Sequence, residues 1–412
     1  MTTRRDPFVR NVTAFAICEV LWGFGMTVSS ETATLPIFLR TLGASSFVIG
    51  LLPALSISLT IGQLFSGFII ERMHRTKRFV VGAYSIAVLF YALMAAFVFG
   101  RPALRLSNGA LLAGLMVLFA LLRSGCFFAA APYFALMGRS LDPQRRGLGY
   151  GLIFTINTLA GMAGAVFASV VFDTVPIQHG GFALCLTVTF FCTAVGNLFI
   201  LFVREAPKPS EYHPKLVTYL TGCLKEVWHT QGYRYYIIGK AFLTVYPLLI
   251  YFYVVESGVS ASMGSILVAI QTAGSCLGVI AAGRIGDRYG YKLVAIVGTS
   301  VFLGALLIMI TQPPVAGVGV VAFLSGCFLG FQQVSHFGLV LELCPRPDAT
   351  IYFGIVQTVL APFAVVVPPA GGYLIDRFSY PVVLGMVVPM TATGIAVWSR
   401  MRPGNYKMQS AK

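Results

Sequence analysis

The sequence predicts an all-α integral membrane protein, with twelve transmembrane helices in two halves of six and both termini in the cytoplasm. Of the 412 residues, 57% are hydrophobic and 10% are charged, whereas soluble domains average ~45–50% apolar and ~25% charged residues. The apolar residues fall in blocks of about 20–28, long enough to cross a hydrocarbon layer of ~30 Å. No alternating pattern indicates the strands of a β-barrel. A polar element that occurs twice indicates the two halves.

The spans and domains follow from the apolar blocks. One polar interruption, residues 204–232, is the predicted cytoplasmic linker and contains a candidate surface helix. It separates an N-terminal half (1–203) from a C-terminal half (233–400), which a cytoplasmic tail (401–412) follows. The predicted spans are residues 12–38, 46–70, 78–100, 109–137, 147–172, 180–203, 233–256, 260–285, 291–311, 315–341, 351–375 and 379–399.

Basic residues set the predicted orientation, because Lys and Arg concentrate in cytoplasmic loops. With a cytoplasmic N-terminus, only four of the 29 Lys and Arg residues fall on the opposite side: Arg40, Arg101, Arg105 and Arg377. The net charge of +15 does not indicate a nucleic-acid partner, since the basic residues are scattered between apolar blocks. The eight cysteines lack a C-x-x-C pair and the five histidines lack ligand spacing, so we expect no metal and no disulfide framework.

A short polar element occurs at equivalent places of the two halves, 216 residues apart. GFIIERMHRTKR begins at Gly67 after the second span, and GRIGDRYGYK begins at Gly283 after the eighth. A glycine there lets a neighbouring helix approach closely. A carboxylate can bond the free N–H groups at the N-terminus of a facing helix. Such contacts form only when the halves close on the cytoplasmic side, so the element predicts a gate; charge that merely sets topology is the alternative.

This element resembles the loop signature of the major facilitator superfamily, G-x-x-x-D-R-x-G-R-[RK]. The second copy resembles it at Gly283, Asp287, Arg288, Gly290 and Lys292. The first copy keeps Gly67, Arg72 and Arg75 but has Glu71 and His74 where the signature has Asp and Gly.

The resemblance extends over essentially the whole chain, and Arg123 is similar to the intramembrane arginine of the family's fourth helix. It implies a monomeric, non-enzymatic transporter that takes a small molecule through the bilayer by alternating access. It also implies that spans 1, 4, 7 and 10 surround the transport pathway.

Ionisable residues inside spans normally face a cavity or a partner. Glu19 is a candidate proton carrier or partner of Arg123, and a static Glu19–Arg123 pair is the structural alternative. Glu31 is a further candidate for coupling, unless it simply reaches external water. Lys240 either binds substrate or extends to the cytoplasmic surface, and His336 is either functional or a packing residue. The candidates for the substrate cavity are Arg123, Lys240, Tyr236, Thr244, Tyr251, Asn157, Gln271, Gln332 and His336.

The predicted function is secondary active transport of a small organic solute that is anionic, zwitterionic or amphipathic. The chain has no G-x-x-x-x-G-K-[ST] loop for ATP phosphates, so we expect no cofactor and a proton gradient as the driving force. We expect the inner membrane of a bacterium. Two alternatives stay open: a non-transporting receptor or assembly factor, and a multidrug-type exporter. Exporters usually carry G-x-x-x-G-P-x-x-G-G in span 5, where this chain has NTLAGMAGAVF with Gly161 and Gly164.

Overall fold

The described part of the chain is helical throughout. A computed structural model describes residues 7–58, 66, 75–142, 145–205, 225, 228–343 and 350–401, and these residues contain no strand. Eleven helical segments of these residues are long and apolar enough to cross a membrane, and one of them, Gly232–Glu256, is broken into shorter helices. The predicted fold class is therefore confirmed. The predicted second span is described as a continuous helix only from Ser46 to Ser58, so the count of twelve spans and the side of the termini stay predictions.

The first half of the chain contains seven described α-helices. They are α1 (Pro7–Val28), α2 (Thr34–Thr41), α3 (Ser46–Ser58), α4 (Lys77–Phe99), α5 (Asn108–Ser140), α6 (Arg146–Thr174) and α7 (Gly181–Phe199). Short 3₁₀ turns precede and follow α7 at Ile177–His179 and Ile200–Phe202. Ser107 caps α5, since its hydroxyl accepts a hydrogen bond from the Ala110 N–H at 3.2 Å, which satisfies one free donor of the first turn.

The second half begins with a broken helix. Its described α-helices are α8 (Gln231–Phe242), α9 (Pro247–Ile250), α10 (Tyr253–Glu256), α11 (Ala261–Tyr289), α12 (Tyr291–Ile310), α13 (Val315–Leu343), α14 (Thr350–Arg377) and α15 (Tyr380–Ser399). A 3₁₀ turn at Leu243–Val245 joins α8 to α9. Pro247 begins α9, as expected for a residue that cannot continue a preceding helix.

The first predicted span is a single helix, but in the structure it is interrupted between Val28 and Thr34. Hydroxyl groups take part in this break: Ser30 Oγ accepts from the Thr32 N–H at 3.2 Å, and Thr34 Oγ1 donates to the Ser30 carbonyl at 3.0 Å. Ser and Thr side chains that bond local backbone groups compete with the helical ladder. The interruption removes Glu31 from the helix that carries Glu19.

Two compact units divide the described chain, and they cross the boundary of the sequence halves. One unit holds the described residues within 1–44, 59–213 and 260–269, and the other holds those within 45–58, 214–259 and 270–412. The start of the predicted second span thus groups with the second half of the sequence, and the start of α11 groups with the first half.

Each unit repeats the same helix pairings. In the first unit α1 packs on α7, α4 packs on α5, and α4 packs on α7. In the second unit the equivalent pairs are α8 with α15, α12 with α13, and α12 with α15. This recurrence agrees with the tandem repeat that the two polar elements indicate.

Many large apolar side chains are exposed along the helices, including Ile86 (63%), Val117 (60%) and Phe191 (60%). Such exposure is costly in water but favourable in hydrocarbon. The helices therefore present lipid-facing surfaces, as the composition predicts.

Candidate functional site

A hydrogen-bonded carboxylate lies among α1, α5 and α6 in the first unit. Tyr133 Oη donates to Glu19 Oε1 at 2.5 Å, and Asn157 Nδ2 donates to Glu19 Oε2 at 2.7 Å. Asn157 Nδ2 also lies 3.0 Å from the Glu19 carbonyl oxygen. Both side-chain donors are neutral, and Glu19 forms no ion pair with any residue of the described chain. A carboxyl group in this setting can gain or lose a proton without breaking a salt bridge.

Close helix packing brings Asn157 to Glu19. A Cβ at Gly23 would lie 2.3 Å from the Asn157 carbonyl oxygen, and one at Gly164 would lie 2.3 Å from the Phe24 carbonyl oxygen. Thr27 Oγ1 also donates to the Gly161 carbonyl oxygen at 2.7 Å. Small residues thus let α1 and α6 meet backbone to backbone.

Arg123 pairs with Glu31 rather than with Glu19. The Arg123 Nη1 to Glu31 Oε2 distance is 3.4 Å, and the two side chains are 13% and 27% exposed. Arg123 also lies over the Phe127 ring, 4.7 Å from its centroid. The predicted Glu19–Arg123 pair is absent from the structure, because Glu19 contacts Tyr133 further along α5. Glu31 is thus an ion-pair partner of Arg123 as well as partly exposed, and whether it serves coupling or reaches external water stays a prediction.

A second polar cluster lies between α8 and α13 in the other unit. Lys240 Nζ donates to Gln332 Oε1 at 3.1 Å, and Gln332 Nε2 is 3.4 Å from Thr299 Oγ1. Tyr236 Oη and His336 Nδ1 are 2.5 Å apart, and Trp398 Nε1 donates to the Tyr236 carbonyl oxygen at 3.2 Å. Lys240 forms no salt bridge within the described residues. The cluster therefore presents a cation whose charge no described protein carboxylate neutralises.

The remaining cavity candidates, Thr244, Tyr251 and Gln271, have buried positions. Thr244 Oγ1 donates to the Ala241 carbonyl oxygen of its own helix at 2.6 Å. Tyr251 and Gln271 are 7% and 6% exposed, and Gln271 Nε2 has no hydrogen-bond partner in the described chain. Their assignment to a substrate cavity stays a prediction.

The second signature copy lies at the junction of α11 and α12. Gly290 has φ +86° between the two helices, a backbone conformation that glycine adopts without strain. Asp287 forms no hydrogen bond or ion pair with a described residue, and a Cβ at Gly283 would meet no atom within 4 Å. Within the described residues this copy has no gating contact through Asp287, and its role as a gate stays a prediction.

Most of the first signature copy lies outside the described residues. This applies to Gly67, Glu71, Arg72 and His74, whereas Arg75 is described and exposed. The predicted role of this copy stays a prediction.

The lysines near the end of the two signature copies make equivalent contacts. Lys77 Nζ donates to the Leu201 and Val203 carbonyl oxygens, both at 3.0 Å. Lys292 Nζ donates to the carbonyl oxygens of Ser399 and Met401 at 2.7 and 2.6 Å. Each lysine therefore satisfies free carbonyl groups where the last helix of its half ends, a position that favours a cation.

Sequence reasoning missed a carboxylate at the start of α4. Glu205 accepts hydrogen bonds from the Thr76 N–H at 2.6 Å and the Lys77 N–H at 3.1 Å. Arg139 lies 3.9 Å from Glu205 and donates to Thr76 Oγ1 at 2.8 Å. Composition places Glu205 in the predicted linker, but an acidic residue at the cytoplasmic end of a span can also supply the acceptor that a helix N-terminus needs.

The sequence profile described as Major Facilitator Superfamily matches residues 15–252 and 235–412. Uncharacterised proteins of Mycobacterium tuberculosis and Mycobacterium bovis are 22% identical over 357 residues, which cover 85% of this chain and 82% of those proteins.

Solved structures of transporters share the fold. The xylose transporter XylE from E. coli matches with a TM-score of 0.68 at 11% identity, covering 97% of this chain and 99% of that chain. The nucleoside transporter NupG matches with a TM-score of 0.64 at 15% identity, covering 98% of this chain and 100% of that chain. A bacterial homologue of the human lysosomal transporter Spinster gives 0.68 at 15% identity, with 96% and 98% covered.

Proposed function

The chain belongs to the major facilitator superfamily, a family of membrane transporters, and we propose that it is a proton-coupled secondary transporter of a small organic solute. It works by alternating access in the inner membrane of a bacterium, and the mycobacterial relatives support the bacterial source. The relatives of known structure include proteins described as transporters of xylose and of nucleosides, and these support a small organic solute here without specifying it.

The surroundings of Glu19 carry the proposal of proton coupling. An ionisable residue inside a membrane span is costly and marks a substrate or proton pathway. Glu19 has two neutral hydrogen-bond donors, Tyr133 and Asn157, and no cationic partner among the described residues. Arg123 and Glu31 are instead occupied with each other. We therefore assign proton uptake and release to Glu19 and a helix-positioning role to the Arg123–Glu31 pair.

Lys240 supports a solute with an anionic group, either an anion or a zwitterion. Its ammonium group has an amide oxygen of Gln332 as acceptor, and no described carboxylate pairs with it. A carboxylate or phosphate of the solute would supply the missing negative charge, and hydrogen bonds between charged groups are stronger than neutral ones. The neighbouring His336 and Tyr236 would contribute further polar contacts.

Reconstituted protein tests the proton carrier. A thermal-shift screen first identifies a solute, since a ligand that binds only the folded state raises apparent stability. In liposomes, we expect Glu19→Gln to retain exchange of this solute between the two sides, because the solute can still cross without a proton. The same variant should lose the extra flux that an imposed pH gradient drives in the wild type.

Asp173→Asn is the matched control, since Asp173 is an exposed carboxylate at the end of α6. It should respond to the gradient as the wild type does. If gradient-driven flux survives in Glu19→Gln, Glu19 is not the coupling residue and the assignment is wrong.

A further inference from the structure

The end of α14 carries a third copy of the glycine–acid–arginine spacing. Gly372, Asp376 and Arg377 have the same order and separation as Gly283, Asp287 and Arg288. The two earlier copies follow spans on the predicted cytoplasmic side. This copy ends α14, where the orientation from basic residues predicts the opposite side of the membrane.

Asp376 caps the N-terminus of α3. Its Oδ1 accepts from the Ser46 N–H at 2.8 Å, and its Oδ2 accepts from the Phe47 N–H at 3.0 Å. The first N–H groups of a helix have no partner within the helix, and its N-terminus favours negative charge. One carboxylate thus satisfies two of these donors with charge-assisted bonds.

Two glycines let the helices approach closely enough for this contact. A Cβ at Gly372 would lie 2.2 Å from the Ser46 carbonyl oxygen, and one at Gly50 would lie 2.4 Å from the Pro368 carbonyl oxygen. Neither position tolerates a side chain without separation of the two backbones. Asp376, Gly372, Gly50 and the Ser46 N-terminus therefore form one contact, which we name the outer latch.

The repeat contains a second contact of the same kind, but without the carboxylate. Ser262 lies 216 residues after Ser46 and likewise near the start of its helix, α11. Its hydroxyl is 2.7 Å from the hydroxyl of Ser169 near the end of α6. Asp173 follows Ser169 by the same four residues that separate Asp376 from Gly372. Asp173 is nevertheless exposed and forms no hydrogen bond with a described residue. Of these two contacts between described residues, the one between α3 and α14 contains the carboxylate.

We propose that the outer latch is a gate that holds the non-cytoplasmic side closed. It joins a helix from the first half of the sequence to one from the second half, and opening of that side requires α3 to leave Asp376. Its role as a gate rests on the proposed alternating access. The signature thus acts on both sides of the membrane, and its non-cytoplasmic copy is engaged while Asp287 has no described partner.

Cysteine alkylation tests the outer latch without solute or proton gradient. Ala54 lies one turn beyond Gly50 on the same face of α3 and is 4% exposed. In a variant without the eight native cysteines, Ala54→Cys introduces a single thiol. In nanodiscs, which leave both membrane sides accessible, we expect Asp376→Ala to raise its alkylation rate by a polar maleimide about tenfold, because two charge-assisted bonds are lost.

Asp173→Ala is the matched control and should leave the alkylation rate at the wild-type value. Phe378→Cys, at a position that is 62% exposed, should react equally fast with or without Asp376→Ala. Should Asp376→Ala fail to fold, Asp376→Asn and Gly372→Ala each replace it, and both should raise the rate in the same direction.

Wild-type alkylation rates in the Asp376 and Gly372 variants would overturn the outer latch. That result would not contradict the proposal that the protein transports a solute. Conversely, faster alkylation in a protein that moves no solute would support the contact and reject the proposed function. The two proposals can therefore fail separately.

Discussion

Glu19 and Arg123 lie at different depths along the helices of their unit. Glu19 bonds Tyr133, which follows Arg123 by ten residues on α5, a separation of about 15 Å at ~1.5 Å per residue. Arg123 instead meets Glu31. Sequence reasoning selected all three ionisable residues because charge inside an apolar block is costly. It did not predict the pairing, because that depends on the interruption of the first span after Val28.

The contribution of Lys240 to solute binding can be predicted at the same scale. We expect Lys240→Met to weaken binding of the solute about 10–100-fold, the magnitude typical of a hydrogen bond to a charged group. Replacing the anionic group of the solute with a neutral amide should cause a similar loss in the wild type. Lys240→Met should bind the amide analogue as tightly as the anionic solute, because the ammonium group that would distinguish the two is already missing.

Binding constants for both solutes and both proteins form a double-mutant cycle. Lys225→Met, at an exposed lysine, is the control and should leave affinity unchanged. Additive losses in the cycle would mean that Lys240 and the anionic group do not interact.

At the scale of elements, apolar blocks predicted most helices, but the breaks within them were not predictable in position. The predicted seventh span is divided into α8, α9 and α10 around Pro247, because a proline interrupts the helical ladder. The first span breaks where local hydroxyls bond the backbone. Such bonds offer the backbone an alternative to the helical hydrogen bonds. Composition alone does not decide whether the backbone forms one or the other.

The α1–α6 contact gives a prediction at this scale. Gly164→Ala should lower the free energy of unfolding by about 1–3 kcal/mol, the cost of overpacking a close contact. The added methyl would meet the Phe24 carbonyl oxygen, which cannot move aside as a flexible side chain would. The melting temperature in detergent measures this effect.

Gly82→Ala in α4 is the control, since a Cβ there meets nothing within 4 Å. It should be neutral, or stabilising by at most about 1 kcal/mol through helix propensity. Equal melting temperatures for the two variants would show that α1 and α6 do not need the close approach at Gly164.

At the scale of the whole molecule, the tandem repeat was predictable because its signature recurs at equivalent loops. The matching contacts of Lys77 and Lys292 follow from that repeat. The role of Asp376 was not predictable from the sequence. The G-x-x-x-D-R spacing at the end of α14 becomes informative only when the structure shows that Asp376 contacts the N-terminus of α3. Sequence marks the charged residues; the packing of helices far apart in the chain decides which donors they meet.

Proton movement coupled to solute movement tests the central proposal most directly. Liposomes containing the wild-type protein, a weak internal buffer and a pH-sensitive dye receive the solute from the screen without an imposed gradient. We predict a change of internal pH that begins with solute flux, acidic for symport and alkaline for antiport, and that is absent in Glu19→Gln although solute still crosses. Solute flux through the wild type with no change of internal pH would contradict proton-coupled transport.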